Sequence, residues 1–81
     1  MAERTWVVRS GPDLGRAIAD IRKGHGQTQD ELARTVPIDP NYLSKIEAGR
    51  SVSLLEQTLR VLRRLGATVT VTFDEDADGQ A

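Results

Sequence analysis

Three helix-capping residues lie within residues 10–49, and they constrain the fold more than any other feature of the sequence. Ser10, Thr28 and Asp39 are residue types whose side-chain oxygen accepts a hydrogen bond from the first turn of a helix. Gly49 is typical of a residue that ends one. The spacing of these four positions predicts three short helices joined by short loops.

Apolar side chains recur on one side of each predicted helix. The first helix is expected to run from its cap at Ser10 to about Lys23, and the second ends by Thr35 because Pro37 disfavours a helical residue before it. Spacings of three and four residues place the apolar positions on one stripe. The inward positions are Leu14, Ala17, Ile18, Ile21, Leu32, Ala33, Leu43 and Ile46.

A fourth helix is predicted to begin at a capping box formed by Ser53 and Glu56 and to end before Gly66. Its apolar residues cover more than one face, and a domain of this size offers only one core. We therefore expect the second apolar face to meet another subunit. The apolar residues are Leu54, Leu55, Leu59, Val61, Leu62 and Leu65.

Residues 67–73 alternate apolar side chains with threonine, which predicts a β-strand with one apolar face. A single strand cannot satisfy its own backbone groups. Its partner is either residues 5–9 of the same chain or the same strand of a second subunit. We favour the pairing between subunits, flanked by the N-terminal segments, because it also explains the two-sided fourth helix. The predicted dimer interface comprises Trp6, Leu54, Val61, Leu65, Val69, Val71 and Phe73, although Trp6 also suits a core position.

The charge is divided unevenly along the 81 residues. The net charge is -1, but residues 1–73 hold eleven basic and eight acidic residues, a net charge of +3, and residues 74–81 hold the other four acids. The simplest interpretation is a mildly basic folded part and a disordered acidic tail. The alternative is that the tail docks on a basic partner surface.

The inventory of reactive residues excludes several classes of function. The chain has no cysteine and one histidine, so we expect no disulfide, no metal site and no cofactor. No grouping of acids indicates an enzyme. No stretch is long and apolar enough to be a signal peptide or to cross a membrane, so we expect a cytoplasmic protein.

The third helix has the clearest functional pattern in the sequence. Leu43 and Ile46 form an apolar edge, and the opposite edge is polar. Such a helix can enter a DNA major groove. Asn41 is suited to paired hydrogen bonds with adenine, and Lys45 to the acceptor edge of guanine. Ser44 is a candidate for bases, thymine methyls or phosphates, and Tyr42 for groove contact or packing.

Further residues are candidates for holding the DNA backbone. Gln29 lies at the start of the second helix, where its side chain and the free backbone N–H groups suit a phosphate. Arg50 and Ser51 follow the third helix. The predicted DNA-binding set comprises Thr28, Gln29, Pro40, Asn41, Tyr42, Ser44, Lys45, Arg50 and Ser51.

Residues 14–65 resemble the Xre/Cro-type helix-turn-helix family of phage and bacterial repressors. The resemblance is carried by the Thr28-Gln29-x-Glu31-Leu32-Ala33 opening and by Leu43-Ser44-x-Ile46-Glu47-x-Gly49. It implies a lambda-repressor-like fold of four to five helices and a homodimer on a palindromic operator. It also implies that Gln29 grips a phosphate, that Pro40, Asn41, Tyr42 and Lys45 face the bases, and that Arg22 and Glu47 form an internal ion pair. Pro37 stands where the family usually has glycine.

The flanks are similar to those of HipB-type antitoxins, which have an N-terminal extension, a fourth helix ending in Leu-Gly and a strand that pairs across the dimer. This resemblance implies an antitoxin that represses its own operon and binds a HipA-like kinase toxin. The alternative is a stand-alone or phage-type repressor with no toxin. The predicted organisation is an extension at 1–10, a helix-turn-helix domain at 11–66, a dimerisation strand at 67–73 and the acidic tail at 74–81.

Overall fold

The computed structural model describes residues 3–50 and 53–74. The elements in chain order are β1 Glu3–Val8, α1 Gly11–Gly24, α2 Gln29–Thr35, α3 Pro40–Glu47, α4 Ser53–Arg64 and β2 Val69–Asp74. The predicted mainly helical fold with a short β-structure is therefore confirmed. Ser51 and all of the predicted acidic tail except Asp74 lie outside the described residues.

The three capping residues predicted from the sequence begin their helices. The Ser10 hydroxyl accepts a hydrogen bond from the backbone N–H three residues later, at 3.4 Å. Thr28 and Glu31 form a reciprocal capping box, in which each backbone N–H donates to the side chain of the other residue, at 2.8 and 3.1 Å. The Asp39 carboxylate accepts from the N–H of Asn41 at 2.8 Å. Local side-chain chemistry thus sets where α1, α2 and α3 begin.

The core forms where the first five elements meet, and each of them contributes one buried apolar side chain. These are Val8, Ala17, Ala33, Leu43 and Leu59. Helix α3 packs on both α1 and α2. The approach to α1 is closest at Gly15, where a Cβ atom would overlap the backbone carbonyl oxygen of Ile46. Glycine at this position lets the two helix backbones touch.

The turn between α2 and α3 accommodates Pro37 without a left-handed residue. The N–H of Ile38 donates to the carbonyl of Ala33 at 2.9 Å and closes the turn. Among the described residues, positive φ angles occur only at glycines outside this turn. The glycine usual in the family is therefore not needed here.

Strand β2 pairs with β1 of the same chain in an antiparallel, two-stranded sheet. The register aligns Val8 with Val69 and Trp6 with Val71, which puts their apolar side chains on one face. The opposite face is polar at Thr5 and Thr72, whose hydroxyl oxygens lie 3.4 Å apart. The intrachain partner, not the favoured second subunit, therefore covers one edge of β2.

Helix α4 has one face in the core and a second face exposed. Leu59 is buried, whereas Leu54, Val61 and Leu65 are 75%, 56% and 76% exposed. These three residues are separated by seven and four positions, so they form one stripe along the helix and the turn residue that follows it. We call Leu54, Val61 and Leu65 the α4 stripe.

The Glu56 carboxylate of α4 accepts a hydrogen bond from the backbone N–H of Gly11 at the start of α1. The sequence pattern predicted a capping box between Ser53 and Glu56 at the start of α4, and this stays a prediction. The contact with Gly11, which the sequence did not predict, joins residues 45 positions apart. Glu56 therefore connects α4 to α1.

None of the helices in the described parts of the chain has the length and apolar character needed to cross a membrane.

Candidate nucleic-acid interface

Helix α3 presents its polar edge to solvent. Leu43 is 3% exposed and holds the helix against the core, and Ile46 is half-buried beside it. The residues predicted to face DNA bases are all exposed: Pro40, Asn41, Tyr42, Ser44 and Lys45. The apolar edge therefore fixes the helix, and the polar edge remains available to a ligand.

Arg50 extends this surface beyond the end of α3. Its backbone N–H donates to the carbonyl of Lys45 at 3.0 Å, so the chain turns back over the last turn of the helix. Asn41, Ser44 and Lys45 line one shallow depression together with Ala48 and Arg50. Amide, hydroxyl and two cationic groups thus converge on one concave surface, a combination that suits base edges and phosphates.

Tyr42 lies where both of the roles that the sequence left open, groove contact and packing, are available to it. Its side chain is 59% exposed on the polar edge of α3. It also borders an apolar cleft between α1, α3 and α4, where Leu14, Ile18 and Leu55 lie. The ring therefore borders the apolar cleft on one side and faces solvent on the other.

Gln29 and Arg22 both bind Glu47 at the end of α3. The Arg22 guanidinium donates two hydrogen bonds to the Glu47 carboxylate, at 2.7 and 2.8 Å. The side-chain amide of Gln29 donates a third, at 2.9 Å. A further Arg22 N–H donates to the carbonyl of Gln27 at 2.7 Å. We call Arg22, Gln29 and Glu47 the clamp, because together they join α1, α2 and α3.

Arg22 and Glu47 of the clamp carry opposite charges, and each stabilises the charged form of the other. The hydrogen bond to Arg22 holds the pKa of the Glu47 carboxyl below its usual range, and the hydrogen bond from Gln29 acts in the same direction against partial burial. The same contact raises the pKa of Arg22. The Arg22 and Glu47 side chains are only 9% and 6% exposed, so the pair is shielded from solvent. The two residues therefore belong to the scaffold beneath the exposed edge.

The contact with Glu47 occupies part of the Gln29 side chain. The sequence pattern predicted that the Gln29 side chain and the free backbone N–H groups beside it bind a phosphate, and in the structure one of the amide N–H groups donates to Glu47. The second amide N–H is not used in this contact. The hydroxyl oxygen and the backbone N–H of Thr28 both take part in the capping box with Glu31, and its O–H remains a donor.

Asp39 is an exposed residue at the start of α3 that was predicted from the sequence only as a cap. Its negative charge distinguishes it from serine, threonine and asparagine, which are uncharged and cap helices as well as aspartate does. Within the described parts of the chain, no group of three or more histidine, cysteine, aspartate or glutamate residues is arranged to hold a metal ion.

Comparison with known proteins relates the chain by sequence to DNA-binding regulators. Residues 13–72, well over half of the chain, match the profile of a family described as a helix-turn-helix domain. An uncharacterised HTH-type transcriptional regulator of Sinorhizobium fredii is 28% identical over 71 residues, which cover 88% of this chain and 90% of the relative. No solved structure matches the chain.

Proposed function

The chain belongs to the helix-turn-helix domain family and is a DNA-binding regulator, and from this premise we propose that it is a sequence-specific transcriptional repressor. The observation that carries the proposal is the exposed polar edge of α3, where Asn41 and Lys45 share a depression with Arg50. This edge is held at a fixed angle by the clamp. A helix presented in this way inserts into the major groove.

The proposed contacts divide into two kinds. Asn41 and Lys45 bind base edges and supply specificity, with Pro40, Tyr42 and Ser44 against the same groove wall. Arg50 and the free N–H of Gln29 bind phosphates and fix the register of the helix on the duplex. Arg50 is exposed and Gln29 is half-buried. Gln29 precedes α3 in the sequence and Arg50 follows it, so the two proposed phosphate contacts lie on either side of the helix in the sequence.

We further propose that the repressor is a homodimer. The α4 stripe exposes three large apolar side chains in a single chain, and burying them against a second copy removes that area from water. An 81-residue chain with a small core gains stability from such an interface.

The free edge of β2 supports the same dimer. Strand β1 contacts α1 and pairs with one edge of β2. The sheet has only these two strands among the described residues, so no described strand covers the other edge of β2. This edge contains no proline or lysine to block pairing. A two-stranded ribbon is marginally stable alone. Pairing β2 with β2 of a second copy builds a four-stranded sheet with the β1 strands outside, the arrangement favoured from the sequence.

The antitoxin role is the more specific form of this proposal. It is supported by β2, which follows the helical domain as the C-terminal strand does in the HipB-type resemblance and which we propose to pair with a second copy. The repressor then acts in the bacterial cytoplasm on its own operon and binds a kinase toxin. Coexpression with an adjacent kinase-like reading frame tests this role. A stable complex that relieves growth arrest supports it, and a lone gene without such a partner favours the stand-alone repressor.

Band shifts test the DNA-binding proposal itself. The chain is titrated into a duplex from the upstream region of its own gene and into a scrambled duplex of the same composition, both at moderate salt. We expect selective binding of the upstream duplex. Equal affinity for the two duplexes contradicts the proposal.

A further inference from the structure

The apolar cleft between α1, α3 and α4 is open and large enough for a small molecule. Its inner lining consists of Leu14 and Ile18 of α1, Ile46 of α3 and Leu55 of α4, all of which are half-buried. The volume of the cleft is about 390 Å³, within the range of pockets that bind small ligands. The cleft therefore offers apolar surface that a ligand can cover.

Two cations, Lys45 and Arg50, border the same cleft and are exposed. Neither is in an ion pair within residues 3–50 and 53–74. A molecule in the cleft thus meets aliphatic side chains on its inner part and two positive charges on its outer part.

This pairing of apolar and cationic groups selects the chemistry of the occupant. The acidic residues 75–81 match the cations, but they include no apolar residue larger than alanine to cover the aliphatic lining. A neutral apolar molecule leaves both cations unpaired. A carboxylic acid with an apolar chain satisfies both parts of the cleft.

We propose that this cleft binds a medium-chain fatty acid, with its alkyl chain against Leu14, Ile18 and Leu55 and its carboxylate on Lys45 and Arg50. Binding of the acid requires no DNA. Its effect on DNA binding rests on the proposed function.

The cleft shares its two cations with the DNA-facing depression, because Lys45 and Arg50 line both. A carboxylate paired with them withdraws two positive charges from base edges and phosphates. Fatty acid and operator then weaken each other by the same factor, since coupling between two sites is reciprocal. The acid therefore acts as an inducer that releases the repressor.

Titration of the isotope-labelled full chain with sodium octanoate tests the site, with backbone amide chemical shifts as the readout. We expect saturable shifts at Ile18, Ile46 and Leu55. Sodium acetate has the charge without the chain, and octanol has the chain without the charge. Each should bind at least about tenfold more weakly than octanoate.

Three variants separate the cleft from the rest of the surface. Arg50→Ala removes one cation and should weaken octanoate binding about tenfold. Arg34→Ala removes an exposed arginine of α2 that does not border the cleft, and it is the matched control. Leu55→Trp fills the cleft from α4 and should abolish octanoate binding without removing a proposed DNA contact. Cooperative thermal unfolding shows that each variant is folded.

Band shifts on the upstream duplex, with and without saturating octanoate, test the coupling. The operator affinity of wild type should fall about tenfold in octanoate and stay unchanged in the same concentration of acetate. The affinity of Leu55→Trp should not respond to octanoate.

The outcomes distinguish failure of the site from failure of the proposed function. Absence of saturable shifts in the cleft, or equal octanoate binding by wild type and Leu55→Trp, overturns the site. Shifts of the cleft amides on dilution of the protein alone would show that a second copy covers the cleft, which also overturns it. Octanoate binding with unchanged operator affinity overturns the inducer role. Octanoate binding by a chain that does not select the upstream duplex supports the site and overturns the repressor proposal.

Discussion

Gln29 donates its side-chain amide to Glu47 across a distance of 2.9 Å, from the first residue of α2 to the last residue of α3. Glu47 also receives two hydrogen bonds from Arg22 of α1. A single carboxylate therefore joins the three helices α1, α2 and α3, the last of which carries the exposed polar edge. The position of the exposed polar side chains of α3 therefore depends on this shielded contact.

Replacing Glu47 with alanine is expected to destabilise the chain by about 3 kcal/mol, because the guanidinium of Arg22 stays shielded without its partner. The free energy of unfolding in urea measures the loss. Asp20→Ala, which replaces an exposed acid on α1, is the control and should change it little. Combining Glu47→Leu with Arg22→Met should recover part of the loss. Equal effects of Glu47→Ala and Asp20→Ala contradict the account of the clamp.

The clamp also predicts the direction of the pH dependence. Because the hydrogen bond from Arg22 lowers the folded-state pKa of Glu47 below its ordinary value of 4.5, its contribution to stability is complete above that value. The contribution is lost as the pH falls through the lowered pKa. Urea midpoints measured from about pH 7 to about pH 3 should decline less steeply for Glu47→Gln than for wild type. Parallel curves would count against a stabilising ionised Glu47.

Gly15→Ala is expected to destabilise the chain by about 1–3 kcal/mol, since the added Cβ overlaps the Ile46 carbonyl and forces α3 away from α1. Gly24→Ala is the matched control, because a Cβ added there, in the same helix, would meet no packed neighbour within 4 Å. Its higher helix propensity should leave stability unchanged or improve it by up to about 1 kcal/mol. Thermal unfolding of both variants checks this, and two similar losses would contradict the close helix contact.

The division of DNA contacts gives a prediction on specificity. Lys45→Ala or Asn41→Ala should weaken operator binding by about 1–3 kcal/mol and relax the preference at one base position. Gln29→Ala should weaken binding to all sequences similarly. Competition between single-base operator variants measures both effects. A uniform loss for all three substitutions would refute the division of roles.

The α4 stripe gives a prediction on assembly. Val61→Glu should shift the chain from dimer to monomer without unfolding it, because Val61 is 56% exposed in the single chain and buried only in the proposed interface. Arg60→Glu changes the charge of the neighbouring exposed residue and should leave the dimer intact. Light scattering measures the mass of each. A monomeric wild type, or a Val61→Glu dimer, would show that the stripe is not the interface.

The helix starts were predictable because capping is a local interaction. Ser10, Thr28 and Asp39 accept hydrogen bonds from residues two or three positions later, so sequence spacing contains the whole interaction. The exposed edge of α3 was predictable for the same reason, since helical periodicity alone separates Leu43 from its polar neighbours.

Contacts between residues that are distant in the sequence were harder to predict. Glu56 matches a local capping box in sequence but binds Gly11, 45 residues earlier. Gln29 reaches Glu47 through packing that no local pattern encodes. The partner of β2 was similarly ambiguous, because alternating valine and threonine fits either strand edge. Tertiary packing decides each of these cases.

The spacing of half-sites tests most directly the claim that two α3 helices read DNA in one dimer. Affinity is measured for a palindromic operator and for the same operator with about five base pairs, half a helical turn, inserted at its centre. The dimer should bind the original strongly and the lengthened duplex no better than a single half-site, because the second half-site has rotated to the opposite face. Equal affinity for the two duplexes would contradict the account.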